Sequence, residues 1–421
     1  MIDINLIRTN PTLVKTALTN RGKDPTLVDK AVELDVNKRG LHMQIDDKRA
    51  DQNKISRNIT GKPTSEQLKQ ATEIKEVLGQ LESQMKFSED ELGQVLELIP
   101  NIPADDVPVG RDDSENIVIK TVGKIRDFDF TPLDHVDLGI KCDIIDVEKS
   151  SQVSGSRFGY FKNEAALLEK AIHWHVFKKI ASKGFISIVP PMMVKGQVEW
   201  KMGYVSNKNL AGTYYYFPED DLKFISSSEH SVGPYHMDET LDLKKLPLKY
   251  VSFSSCFRRE AGTYGKDMKG MLRVHCFNKV EMVAFCEPDF AKSDALCKEL
   301  LAIEEEILQD LELPYQVMNC CTGDLPHPNR RMYDINTYFA GQGKYRETHS
   351  CSNCSDYQAR RLNTKTKLNN KSEFVHMLNA TAASDRPLLA MLEYHQQKDG
   401  SILIPKALQE LVGFDIIKPK L

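Results

Sequence analysis

"FRREAGTYGKDMKGMLRVHCFNKVE", residues 257–281, decides how the larger part of this chain folds. Two strand-like runs flank a Gly- and Lys-rich middle, the pattern of a hairpin. In the second run, alternate positions are Arg273, His275, Phe277, Lys279 and Glu281, with Val274, Cys276 and Val280 between them. A half-buried strand normally sets apolar residues on one face and unremarkable polar ones on the other. Here the polar face aligns a cation, an aromatic ring and a carboxylate. On the first run, Arg258 and Glu260 also share a face. Arginine's planar fork suits a phosphate or carboxylate, Phe277 can stack on a base ring, and Glu281 can accept a hydrogen bond from a small polar group. An aromatic nucleotide with its phosphates fits this face. A surface hairpin laced with salt bridges fits it too, and alternation alone does not choose between them.

Around this hairpin, residues 185–191, 248–260 and 271–285 read as strands, and 294–311 and 386–397 as amphipathic helices. Pro387 falls in the first turn of the last helix, where its missing N–H does no harm. Hairpin strands with helices packed on them predict an α+β domain on an antiparallel sheet. There is no Walker A loop and no G-x-G-x-x-G, so a nucleotide would be held without the common phosphate loops.

The first hundred residues follow a different period. Ala71, Leu78, Met85 and Leu92 recur every seven positions, and Ile74, Leu81, Ser88 and Val95 follow three later, which is a heptad seam. Leu34, Leu41 and Ile55, with Ile45 and Ile59, give an earlier, looser register interrupted by Lys48. Between them, "TGKPTSE" (60–66) ends one helix at Gly61 and Pro63 and offers Thr64 or Ser65 to cap the next. Two long helices joined by a short turn pack antiparallel, and about 33 residues make an arm on the order of 50 Å long. Residues 37–62 carry seven Lys/Arg against three Asp. This is either a solvated helical face or a rod that meets phosphates through Lys38, Arg39, Lys48, Arg49, Lys54 and Arg57. "IPNIPADDVPVG" (99–110) marks the boundary: a helical arm over 1–100, then a second domain over 101–421 whose first fifty residues form a connector.

The 421 residues bear a net charge of -4, so any nucleic-acid site has to be a local basic patch. No run of about 18 apolar residues suggests a membrane span, and the first residues lack a secretory h-region. With nine scattered cysteines, this predicts reduced thiols in the cytoplasm. Cys351 and Cys354 make half a zinc site, which is weak evidence without two more ligands.

The opening stretch also resembles motif 2 of class II seryl-tRNA synthetases, and the resemblance runs along nearly the whole chain. "MIDINLIRTNP" is similar to the family's start, the heptads to its tRNA-binding coiled coil, and "GFISIVPP" stands at motif 1. "YRETHSCSNCSDYQARRLN" and "LNATAASDRPLLAMLEYHQQKDGSILIP" resemble its central segment and motif 3. The resemblance implies an enzyme that activates L-serine with ATP and Mg²⁺, without zinc, and charges tRNA(Ser), with the selenocysteine tRNA as a second acceptor. It implies a homodimer formed through motif 1. Carried over by position, Arg258 would meet the α-phosphate and the serine carboxylate, Glu260 the adenine amino group, and Phe277 the adenine ring. Arg273 and Arg386 would hold the terminal phosphates, and Glu347 and Ser350 the Mg²⁺. Ser227 and Glu229 would take the serine ammonium, Glu281 its hydroxyl, with Asn379 and Thr381 nearby.

The chain departs from the family at several points. Ser227 replaces a Thr, Cys276 a Gln and His349 a Ser, and Asn336, Tyr338 and Ala340 replace an acid, a Trp and a Pro. Cys276, by alternation, falls on the face of Val274 and Val280 and reads as a packing change. The interval from Asn379 to Arg386 is one residue short, and Asp385 stands where a glycine normally precedes the arginine. Such a deletion predicts a guanidinium displaced by more than the ~1 Å that catalysis tolerates. Two other readings share the fold: a weakened or inactive RNA-binding, regulatory relative, and an enzyme that loads a carrier protein. The retained Arg258, Glu281 and Glu347 oppose the first, and the tRNA-type arm opposes the second.

Overall fold

The computed structural model describes all residues except 58–60, 205–213, 261–269 and 421, and it divides into two compact units, 1–102 and 103–421. The Gly- and Lys-rich middle of the opening hairpin and Ile59 of the arm lie outside the described residues.

In the first unit, short helices α1 (Ile4–Thr9) and α2 (Pro11–Asn20) precede two long ones, α3 (Thr26–Arg57) and α4 (Ser65–Leu98). Thr64 caps α4 in a full capping box, its hydroxyl accepting from the Gln67 amide while the Gln67 side chain accepts from the Thr64 amide. Every seam position of α4 is buried or half-buried, and Leu41 and Ile45 of α3 are buried opposite that seam. Ile7, Val14, Leu18, Val28, Val95 and Ile99 close a separate core where the short helices meet the long ones.

The second unit is built on an eight-stranded sheet. Its strands are β1 (Ile117–Val122), β2 (Ile186–Ile188), β3 (Leu248–Phe257), β4 (Cys276–Cys286), β5 (Tyr315–Asn319), β6 (Arg331–Phe339), β7 (Lys344–Asn353) and β8 (His376–Ser384). Their order is β1-β5-β6-β7-β8-β4-β3-β2, antiparallel throughout except for the edge pair β2–β3. Helices α5 (Asn163–Ser182), α6 (Phe290–Asp310) and α7 (Asp385–Tyr394) share the main core with one sheet face, burying Val280, Met282, Ala380 and Ala382. Alternation sends Lys279, Glu281 and Thr381 to the other face, where the cleft lies.

The strands are shorter than their sequence readings: β2 covers only Ile186–Ile188 of 185–191, and β3 ends at Phe257, so Arg258 and Glu260 follow the strand and do not share a face of it. β4 begins at Cys276, not Met271. Two amides at the ends of 271–275 are used outside the ladder: Met271 donates to His135 Nε2 and His275 to the Arg157 carbonyl. Met271, Leu272 and Val274 are buried without strand alternation. Arg273 therefore reaches the cleft from a loop, and Cys276, exposed at the strand's first position, is not a core packing residue.

Candidate active site

The cleft over the open sheet face is lined mostly by charged and polar side chains. Of the positions singled out from sequence, Arg258, Glu260, Arg273, Phe277, Glu347, Ser350, Thr381 and Arg386 line it together. Arg258 follows the end of β3, its guanidinium carbon 5.0 Å from the centroid of Phe277 on β4. Arg273 donates to the Glu260 carboxylate at 2.7 Å.

Two β-bulges set the rest. Glu347 and Ser350 are three apart on β7, a spacing that should put them on opposite faces. Asn336 pairs with Glu347 and Ile335 with His349, so Thr348 is an extra residue and restores both side chains to the cleft. On β8, Thr381 pairs with Glu281 and Ala383 with Val280, leaving Ala382 extra. Ala382 and Ala383 both turn into the core, and Ser384 returns to the cleft face. The short interval before Arg386 thus does not turn the arginine away. Its Nη1 donates to the Glu347 carbonyl at 2.8 Å and lies 3.1 Å from the Glu347 carboxylate, and its Nε donates to the Leu272 carbonyl.

Ser227, Glu229, Glu281 and Asn379 lie deeper and are buried. Lys279 links two of them, its Nζ 2.5 Å from the Glu281 carboxylate and 3.3 Å from the Ser227 hydroxyl. Burial pushes the Glu281 carboxyl up, against the pull of Lys279. Glu229 accepts from the Tyr204 hydroxyl at 2.7 Å and from the Gln358 amide at 3.0 Å. Thr381 sits 3.4 Å from the Ser350 hydroxyl, and Asn379 is beside the Cys354 sulfur.

Sequence reasoning assigned no role to Lys279, though its place between Phe277 and Glu281 on the alternating face was the available signal. No local signal marks Tyr204 or Gln358. None of the remaining departures lines the cleft itself, but Asn336 lines a cavity that shares Arg273, Glu347 and Arg386 with it. His349 is buried, with its pKa lowered to about 4 by burial. Asn336 lines an adjoining cavity with Asp324 and Asp334, Tyr338 packs edge-on against Tyr345, and Ala340 is buried. The C-x-x-C thiols face different neighbours, Cys351 toward Cys297 at 3.5 Å and Cys354 toward the Asn329 side chain.

Of the six basic arm positions, five are in ion pairs. Lys38 meets Glu89 and Arg49 meets Glu82 across the two helices, while Arg39 pairs with Asp35 and both Lys48 and Lys54 with Asp51. Arg57 is exposed near the described end of α3. No described helix is long and apolar enough to cross a membrane.

Both units match known families. The seryl-tRNA synthetase N-terminal domain matches residues 1–103, and the class II tRNA synthetase core domain (G, H, P, S and T) matches residues 217–395. A serine–tRNA ligase of Dictyoglomus turgidum is 42% identical over 427 residues, covering 100% of both chains. The crystal structure of seryl-tRNA synthetase from Pyrococcus horikoshii complexed with ATP is similar at a TM-score of 0.94 and 37% identity, covering 100% of each. That of cytoplasmic serine-tRNA ligase from Naegleria fowleri in complex with AMP reaches 0.91 at 30% identity, covering 100% of this chain and 99% of that one. The chain belongs to the seryl-tRNA synthetase family.

Proposed function

We propose that this protein is a serine–tRNA ligase that joins L-serine to ATP as seryl-adenylate and passes the seryl group to tRNA(Ser). The convergence of Arg258, Arg273, Phe277 and Arg386 on one cleft, over a buried floor of Glu281, Lys279 and Ser227, carries this reading. Adenine stacks on Phe277, and Glu260 leaves its ion pair with Arg273 to accept from the adenine amino group. Arg273 and Arg386 then hold the terminal phosphates. Glu347 and Ser350 offer a carboxylate and a hydroxyl on one face, the hard oxygen donors that Mg²⁺ takes, and would hold it. When bound, that ion spreads phosphate charge.

Serine enters below. Glu281 accepts a hydrogen bond from its hydroxyl, Glu229 and Ser227 take its ammonium, and Asn379 and Thr381 line its flank. Arg258 aligns the serine carboxylate with the α-phosphate. A carboxylate oxygen attacks the α-phosphorus, the bond to the bridging oxygen breaks, and pyrophosphate leaves. No protein nucleophile is needed, because alignment and charge stabilisation lower the barrier. In the second step the ribose hydroxyl at the tRNA 3′ end attacks the acyl carbon and AMP departs. The basic arm suits tRNA, since exposed ion pairs contribute little and can yield to phosphates.

A homodimer in the cytoplasm is the expected form. Its support is an apolar surface on α5 and around edge strand β2, where Trp174 is 54% exposed and Val189 80%. Serine-dependent ATP–pyrophosphate exchange by the purified protein tests the reading: exchange is expected, and Arg258→Ala should abolish it. Background exchange in a protein that still binds tRNA would instead favour the inactive RNA-binding relative.

A further inference from the structure

Asp385, which stands where the family resemblance leads one to expect glycine, occupies the first turn of α7 and lines the cleft immediately before Arg386. A bare carboxylate there would repel the phosphates that Arg386 is proposed to hold. Its surroundings answer that charge. One carboxylate oxygen accepts from the Asn278 backbone N–H at 3.2 Å, and the other faces His173 Nε2 at 3.8 Å. Neither Asp385 Oδ1 nor His173 Nε2 has a hydrogen-bond partner among the described residues, so the two face each other as an ion-pair contact only.

The ring of contacts closes on itself. His173 Nδ1 lies 2.7 Å from the Glu169 backbone carbonyl and 3.1 Å from the Glu169 carboxylate, and that carboxylate accepts from the Asn278 side-chain amide at 2.7 Å. Asn278 is fixed in turn by the Ser255 hydroxyl at 2.7 Å. α5, β4 and the start of α7 are thereby joined through buried polar atoms. The charged and titratable groups around Asp385 are His173, Glu169 and Lys170 from α5, Cys276 from β4, and Arg386 beside it. Burial lowers the His173 pKa, but the Glu169 hydrogen bond and the Asp385 charge outweigh it and raise it. Burial pushes Asp385 up to about 6, with His173 opposing and Glu169 adding to the rise.

We infer that His173 is a positioning residue for adenylation: held as a cation by Glu169, it neutralises and anchors Asp385, so that Arg386 meets the ATP phosphates without a competing negative charge. This rests on the functional reading above. It also gives the residue before Arg386 a reason to be tolerated, since an acid replacing glycine at a phosphate cleft needs a buried counter-charge.

Exchange measured as a function of ATP and of serine tests it. His173→Gln removes the cation and is expected to raise the KM for ATP about tenfold, leaving the KM for serine within about twofold. The double variant His173→Gln/Asp385→Asn removes the carboxylate as well and should return the ATP KM to within about threefold of the parent. A role in packing alone would not be rescued this way. The inference is overturned by an unchanged ATP KM in His173→Gln. It is equally overturned by a double variant that keeps the parent's thermal melting curve but not its ATP KM. Exchange absent from the unmodified protein would remove the functional reading and this one together, whereas either of the other failures leaves the functional reading intact.

Discussion

Glu281 shows what burial does to a single residue proposed to recognise serine. It sits on the cleft face of β4 with Lys279 2.5 Å away, in a setting that raises its pKa through burial. A hydrogen bond to a charged group contributes about 1.5–3 kcal/mol. Glu281→Ala is therefore expected to lower the preference for serine over alanine in adenylation by roughly ten- to a hundredfold. An unchanged preference would remove Glu281 from hydroxyl recognition. Cys276→Ser, by contrast, should leave exchange within about twofold, since Cys276 is exposed at the strand's start and an isosteric swap there costs little. His349 is a similar case. With a pKa lowered to about 4, it stays neutral near neutral pH and reaches the core by bonding to the Ala382 carbonyl, so its place next to the Glu347–Ser350 pair in sequence is not proximity in function.

At the scale of elements, the extra residues Thr348 and Ala382 do what the strand period forbids. A regular β7 would send Glu347 and Ser350 to opposite faces, and a regular β8 would turn Ser384 into the core. Deleting Thr348 should straighten β7 and turn Glu347 away from the cleft. The expected result is a loss of exchange of about a hundredfold or more with far-ultraviolet circular dichroism retained. If exchange survived the deletion, the bulge would not be what aims Glu347. Position and spacing in the sequence made the hairpin of β3 and β4, the two arm helices and the Thr64 cap legible. The bulges were not, because a bulge is a property of two paired strands and neither strand's own sequence carries the register.

At the scale of the molecule, the division of labour between the units is open to measurement. Replacing Lys54, Arg57 and Lys62 with Ala should weaken tRNA binding and reduce its salt slope by about 0.9 for each phosphate that is no longer neutralised. Exchange without tRNA should not change. A salt slope equal to the parent's would place the tRNA-binding cations elsewhere. The pairing of Lys38 with Glu89 and Arg49 with Glu82 argues that the basic excess of α3 is partly answered by α4, which makes the distal positions the better targets.

The sequence by itself determined the two kinds of period, heptad and strand, and with them the two long helices and the antiparallel sheet. Alternation aligned Phe277 and Glu281 on one face of the hairpin and placed Arg258 on its first run, whereas the proposed roles of these residues and of Arg386 came from the family resemblance. Only the tertiary structure decided that Arg386 is still delivered to Glu347 despite a short approach, that Lys279 bridges Glu281 and Ser227, and that His173 stands behind Asp385. The physical reason is the same in each case. Side-chain identity and local period are written along one chain, whereas register, bulges and buried counter-charges arise between elements distant in sequence. His173 and Asp385 are 212 positions apart and become neighbours only when α5 and α7 pack on the same sheet face.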